Sequence, residues 1–206
     1  MKISYNRVAG QNAARLEALS DGVFAFAMTL LVLGLRAPVA KAVHGERDLA
    51  LALVALGPQF VMYLMSFLAL GIFWVGQQTQ LNFLHRSDRN FTWIHLAFLM
   101  AVAIMPFSTK LLARFPHYRT ALLVYWMNLL LLGLALYGGW GYAVRRNLLK
   151  ESMPEEAPAA VCRRILIAQS LYAFGALLCV INTFWSIGFI VLVQLNYAVA
   201  PASWRQ

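Results

Sequence analysis

The sequence predicts an all-α integral membrane protein with six transmembrane helices. Three observations carry this prediction: 61% of the 206 residues are hydrophobic, only 12% are charged, and long apolar runs separate the charged residues. Soluble domains are about half apolar and a quarter charged, whereas a membrane-crossing helix needs about 20 mostly apolar residues. The composition therefore argues against an ordinary soluble domain and favours one transmembrane domain over residues 1–206.

The apolar runs between charged residues define the spans. The first run lies between Asp21 and Arg36 and extends backward through a mixed first turn. The last run, between Arg164 and Arg205, contains 40 uncharged residues, enough for two spans joined by a tight turn at Asn182-Thr183. The six predicted spans are 13–36, 49–76, 90–112, 119–145, 164–181 and 183–201.

The distribution of basic residues predicts the orientation. Six spans place the amino terminus, the 77–90 loop, the 145–164 loop and the carboxyl terminus on one side, together with 11 of the 17 lysines and arginines. By the positive-inside rule we expect both termini to be cytoplasmic, in the cell (inner or plasma) membrane. Anionic lipid headgroups account for the net charge of +9, and we expect no nucleic-acid partner because no basic face with interleaved aromatic residues is present.

The first run has an alternative interpretation as a cleavable signal peptide. Lys2, Arg7 and Arg15 precede a stretch of 14 uncharged residues, and Ala40-Lys41-Ala42 follows it. Glu17 and Asp21 at the start of the run, and Arg36 close after it, argue against this interpretation, because a signal peptide begins with a positively charged segment.

No pattern in the chain indicates an enzyme, a metal site or a cofactor. The sequence contains neither a recognisable Ser/His/Asp set nor an HExxH motif. The histidines are scattered without the spacing of metal ligands: His44, His85, His95 and His117. The glycines of the predicted fourth span, Gly133 and the Gly138–Gly141 segment, are expected to allow close packing between helices.

The first span carries an ionisable residue, which in a membrane segment is a functional hypothesis by default. On a helix with 3.6 residues per turn, one stripe contains Gly22, Phe26, Thr29, Leu33 and Arg36 and is apolar up to Leu33 except for one hydroxyl group. The polar mouth of the span, Ser20 and Asp21, points away from this stripe. Periodicity alone leaves two interpretations open: the stripe packs against lipid or a core, or it meets copies of itself.

A short motif at the start of this span resembles a known family. Arg15-Leu-Glu-Ala-Leu19-Ser20-Asp21 is similar to the R-x-x-x-F-S-D signature that opens the first helix of the bacterial transmembrane-protein-175 potassium channels. Phe73-Trp74, Phe98 and Met105-Pro106-Phe107 resemble that family's later pattern. The resemblance covers residues 15–110 in pattern and the remainder in layout.

The resemblance implies a polar network that ties the signature to the second and third helices. Its members here are Arg15, Ser20, Asp21, Trp74, Gln77 and His95. Three positions depart from the family: Leu19 replaces a phenylalanine, Gln77 a histidine and His95 an asparagine.

The resemblance also implies a homotetramer whose first helices line the pore. Phe26 matches the narrow apolar constriction, where relatives carry leucine or isoleucine, and Leu30 and Leu33 match further apolar rings. Thr29 matches a hydroxyl layer linked to potassium preference. The sequence lacks a TVGYG-type carbonyl filter, so the expected function is a potassium channel that selects by other means, with permeating potassium ions and no cofactor. The alternative function is a proton or small-solute transporter, in which Glu17, Asp21 and His95 form a relay.

Overall fold

The computed structural model describes residues 12–40 and 43–199, which form an all-helical bundle. A short 3-10 turn, Leu178–Val180, follows the sixth helix. The α-helices in chain order are α1 (Ala13–Val32), α2 (Glu46–Ala55), α3 (Gly57–Asn82), α4 (Arg89–Arg114), α5 (Arg119–Arg145), α6 (Ala157–Leu177) and α7 (Thr183–Val199). The predicted end of the last span at 201, and Lys2, Arg7, Lys41 and Arg205, lie outside the described residues.

Four helical segments of the described chain are long and apolar enough to cross a membrane: α3, α4, α5 and Ala157–Val180. The last helix, α7, is apolar but has only 17 residues. The first helix has 20 residues, and Arg15, Glu17 and Asp21 lie in its first half.

The predicted second span, 49–76, differs from the helices in the structure. The chain forms the short helix α2 and then starts again as the 26-residue helix α3. Pro58 occupies the first turn of α3. A backbone N–H at this position would have no partner within the helix, so proline costs no hydrogen bond there. The polar segment that begins at Gln77 forms the last turns of α3, and Gln77 and Gln80 within it are buried.

Two other helices differ in length from the predicted spans to which they correspond. The first helix ends at Val32, whereas the predicted span continues to 36, so Arg36 lies beyond the helical stripe on which the sequence places it. The sixth helix, α6, starts at Ala157 with a proline in its first turn, seven residues before the predicted fifth span, 164–181. The charged residues Arg163 and Arg164 therefore lie within a helix.

Contacts between loops show that α3 to α7 alternate in direction. At one end of the bundle, the chain after α3 pairs with the chain after α5, since His85 N–H donates to Leu148 O at 2.9 Å and Lys150 N–H donates to Phe83 O at 2.9 Å. At the other end, the Arg119 guanidinium donates to Val180 O at 2.9 Å. The loop that precedes each of these helices and the loop that follows it therefore lie at opposite ends of the bundle.

A chain of polar side chains crosses the interior between α3, α4 and α5. The Thr109 hydroxyl donates to Ser66 Oγ at 2.7 Å, and the Ser66 hydroxyl donates to Tyr125 OH at 3.4 Å. All three residues are buried. Because an unpaired polar group in an apolar interior costs free energy, these hydrogen bonds fix how the three helices face one another.

Gly133 allows α5 and α6 to approach closely. A Cβ atom at this position would lie 1.9 Å from Gln169 Nε2 and 2.8 Å from Gln169 Cγ. The Gln169 side chain therefore occupies the space beside the glycine, and its amide donates to Leu129 O at 3.3 Å. By contrast, a Cβ at Gly138 would meet no atom within 4 Å.

The substitution Gly133→Leu should destabilise the fold, because it displaces Gln169 and overpacks the α5–α6 contact. Overpacking of this kind costs about 1–3 kcal/mol. Thermal denaturation of the purified protein in detergent measures the effect, with Gly138→Leu on the same helix as the control. Equal melting temperatures for the two variants would contradict the assigned packing.

Candidate pore helix and its anchoring network

The first helix has one buried face, which packs on α3 and α4. Its buried residues follow steps of four, four, three and four along the helix: Leu16, Ser20, Phe24, Ala27 and Leu31. The Phe24 ring lies 5.9 Å from the Phe98 ring of α4, centroid to centroid. This spacing is that of a helix with one stripe turned toward a core.

Ser20 and His95 form the buried polar contact between α1 and α4. Ser20 Oγ lies 2.7 Å from His95 Nε2 and 2.6 Å from Leu16 O, and Ser20 is fully buried. A hydroxyl group has one hydrogen to donate. Both distances are satisfied when His95 donates from Nε2–H to Ser20 and Ser20 donates to the Leu16 carbonyl.

The position of His95 is fixed by aromatic neighbours on its own helix. Its imidazole ring lies 6.1 Å from the Phe91 ring, nearly parallel to it, and 5.9 Å from the Phe98 ring. The imidazole is therefore held between two rings and presents Nε2 to α1. The substitution of histidine for the asparagine that the family resemblance implies still supplies a polar partner for Ser20.

Asp21 and Trp74 form the second polar contact of α1, this time with α3. Trp74 Nε1–H donates to Asp21 Oδ1 at 2.8 Å. Trp74 is half-buried, and Asp21 is exposed in the single subunit. A hydrogen bond to a charged acceptor is stronger than one between neutral groups, so this contact holds the start of α1 against α3.

The structure does not join every predicted member of the network within one subunit. Among residues 12–40 and 43–199, the Arg15 guanidinium makes no hydrogen bond or ion pair, and its side chain is exposed. Gln77 is 1% exposed, and neither its Nε2 nor its Oε1 has a hydrogen-bond partner in those ranges. In the same residues no hydrogen bond connects Asp21 with His95, two of the three members of the relay considered for a transporter.

The opposite face of α1 is exposed in the single subunit, and it is the face with the predicted pore residues. Phe26 is 67% exposed and Leu33 is 69% exposed. Thr29 is also exposed, whereas Leu30 is half-buried at the edge of this face. We call Gly22, Phe26, Thr29 and Leu33 the open face of α1.

The Thr29 hydroxyl has a defined orientation on the open face. It donates its hydrogen to Phe26 O at 2.8 Å. A hydroxyl oxygen has two acceptor lone pairs in addition to its one hydrogen. With the hydrogen directed back to the helix, the Thr29 oxygen is free to accept from water or to contact a cation.

The substitution Trp74→Phe should weaken the attachment of α1, because it keeps an aromatic ring but removes the donor to Asp21. Hydrogen bonds to charged groups contribute about 1.5–3 kcal/mol, and the exposure of Asp21 favours the lower end. Free energies of unfolding in mixed micelles, measured for Trp74→Phe, Asp21→Asn and the double variant, give the coupling. Trp185→Phe, at a residue 71% exposed on α7, is the control, and a coupling of zero would contradict the contact.

Comparison with known proteins identifies the family. Residues 15–106 match the family model of the endosomal/lysosomal potassium channel TMEM175. A potassium channel of Streptomyces collinus is 36% identical over 193 residues, covering 92% of this chain and 84% of that protein. A potassium channel of Chamaesiphon minutus is 30% identical over 189 residues, covering 90% of this chain and 93% of that protein.

The fold agrees with the same family. The crystal structure of a lysosomal potassium-selective channel TMEM175 homolog from Chamaesiphon minutus matches with a TM-score of 0.80 and 28% identity, over 91% of this chain and 97% of that one. These proteins are ion channels and not enzymes, in agreement with the absence of a catalytic motif from the sequence. The chain is a membrane protein that belongs to the TMEM175 family.

Proposed function

We propose that this chain forms a potassium-selective ion channel whose pore is lined by α1. The observation that carries the proposal is the division of α1 into two faces. One face is anchored by Ser20 and Asp21, and the other is an exposed apolar stripe with a single hydroxyl group. The relatives named as potassium channels support the choice of ion.

The proposed assembly is a homotetramer in the cell membrane. Each subunit crosses the bilayer six times, with α1 and α7 as the first and last crossings and both termini in the cytoplasm. Four copies of the open face then surround one axis. This arrangement shields the apolar open face, which lies next to the polar start of α1, from the lipid. It also places four Thr29 oxygens in one layer. No cofactor or nucleic acid takes part.

The proposed selectivity for potassium combines an apolar constriction with the layer of Thr29 hydroxyl groups. A narrow apolar ring formed by Phe26 excludes water and so blocks ions, whereas a slightly wider ring lets a cation pass. Leu30 and Leu33 continue the apolar lining. Potassium loses water more readily than sodium, so the Thr29 oxygens replace part of its hydration shell at a lower cost.

The anchoring network acts as a scaffold and not as an ion ligand. Asp21 is bonded to Trp74, and Ser20 lies on the buried face. Arg15 is exposed and unpaired within the described subunit, so in the tetramer it is free to meet a neighbouring copy. His95 supports the same end of α1 from α4, and Gln77, buried on α3, completes the proposed network.

The substitution Phe26→Leu should raise the conductance several-fold, because leucine fills less of the constriction than a phenylalanine ring. Single-channel recording in planar bilayers measures the change. Phe60→Leu, at a residue 51% exposed on α3, is the matched control. Unchanged conductance and open probability in Phe26→Leu would show that this side chain does not form the constriction.

The substitution Thr29→Ala should lower the potassium-to-sodium permeability ratio by about 2- to 10-fold, since a neutral polar contact contributes about 0.5–1.5 kcal/mol. Reversal potentials under bi-ionic conditions give the ratio. Thr79→Ala is the control, because the Thr79 hydroxyl is likewise exposed and donates to a backbone oxygen of its own helix, Val75 O, at 2.8 Å.

An unchanged ratio in Thr29→Ala would remove the hydroxyl layer from the mechanism. Potassium flux into liposomes that saturates, or that strictly requires a proton gradient, would instead favour the transporter alternative.

A further inference from the structure

A deep groove runs along the flank of α1, next to but distinct from the open face. It has a volume of about 850 Å³ and lies between α1, α3 and the ends of α6 and α7 that face them. Most of its lining is apolar, with Met28 on α1 and Phe67 and Ile72 on α3. Gly71 contributes no side chain to the groove wall, and a Cβ there would meet no atom within 4 Å.

The groove has a polar end and an apolar end. Asp21, Trp74, Arg164 and Tyr197 mark the polar end, which is the end of the bundle where α3 and α7 finish and α6 begins. Phe67 lies seven residues back along α3 from Trp74, which is about 10 Å at 1.5 Å per residue. The groove therefore leads from one end of the bundle toward its middle.

Arg164 supplies the positive charge at the polar end of the groove. Its guanidinium lies 5.9 Å from the centre of the Tyr197 ring, and no carboxylate of the described residues lies within 4 Å of it. Asp21, the carboxylate of the same groove, already accepts a hydrogen bond from Trp74. The polar end thus offers one guanidinium whose charge is not neutralised by any carboxylate of residues 12–40 and 43–199.

A second, smaller cavity adjoins the groove at Arg164. Its volume is about 230 Å³, and it shares Ile72, Arg164 and Tyr197 with the groove. Gln169 and Tyr172 line it, and in the described residues the Gln169 Oε1 has no hydrogen-bond partner.

We propose that this paired cavity binds an anionic glycerophospholipid of the surrounding membrane. The phosphate contacts Arg164, the headgroup stays with it at the polar end, and an acyl chain lies in the groove toward Phe67. Basic pockets between membrane helices on the cytoplasmic side bind such headgroups. The bound chain touches α1 beside the Asp21–Trp74 contact, so its occupancy supports the position of α1. The proposal goes beyond the channel function and does not depend on which ion passes.

Phosphatidylglycerol is the probe for this site, with phosphatidylcholine as its uncharged comparison. The full-length protein is purified in detergent and mixed with either lipid, and native mass spectrometry counts the lipids retained on the assembled protein. Arg164→Gln should retain phosphatidylglycerol about fivefold less well than the unmodified protein, which is the factor expected for one basic residue near an anionic headgroup. Arg163→Gln, which changes the neighbouring arginine that lines neither cavity, should retain it normally.

A second pair of variants tests the acyl-chain part of the groove. Gly71→Leu places a side chain in the open groove and should also reduce retention of phosphatidylglycerol, whereas Gly138→Leu, at a position equally open but on α5, should not. Equal losses in Arg163→Gln and Arg164→Gln, or normal retention in both Arg164→Gln and Gly71→Leu, would overturn the proposal. It would also be overturned if Gly71→Leu yielded folded single subunits that no longer assemble, because a second copy of the chain would then occupy the groove.

Discussion

The attachment of α1 to the bundle by two polar contacts on adjacent residues is the constraint on which the rest of the structure depends. Ser20 meets His95 on α4, and Asp21 meets Trp74 on α3. Because residues 20 and 21 differ by about 100° around a helix, the two bonds fix both the rotation and the position of α1. The rotation buries Phe24 and leaves the open face exposed among the described residues of the subunit. The open face is apolar and lies beside the charged start of α1, so it contacts either lipid or other copies of the chain.

The charge at the mouth of α1 therefore has a structural explanation. In a membrane a carboxylate is tolerated where it faces protein or water and is paired, and the Trp74 indole supplies that partner. Polar side chains are also hydrogen-bonded to one another elsewhere in the bundle. Ser66, Thr109 and Tyr125 form hydrogen bonds with one another. These buried polar groups join three helices.

The sequence was sufficient to predict the two-faced character of α1 but not all of its partners. Periodicity separates Phe26 and Leu33 from Ser20, and burial in the structure agrees with that separation. The partner of Ser20 lies 75 residues away, and no local rule specifies so distant a contact. The family resemblance supplied the positions in α3 and α4, yet it could not show that Gln77 and Arg15 have no hydrogen-bond partner among the residues that the structure describes. The break before α3 was readable from Gly57-Pro58, a turn signal, but the apolar run around it favoured one continuous span.

A structure of the assembled protein in lipid nanodiscs, determined by single-particle electron cryomicroscopy, tests the central claim most directly. The account predicts that the open faces of α1 from four copies converge on one axis, with the Phe26 side chains forming its narrowest point and the Thr29 oxygens one turn deeper. An assembly in which the open face of α1 lies at the perimeter and contacts lipid would contradict it.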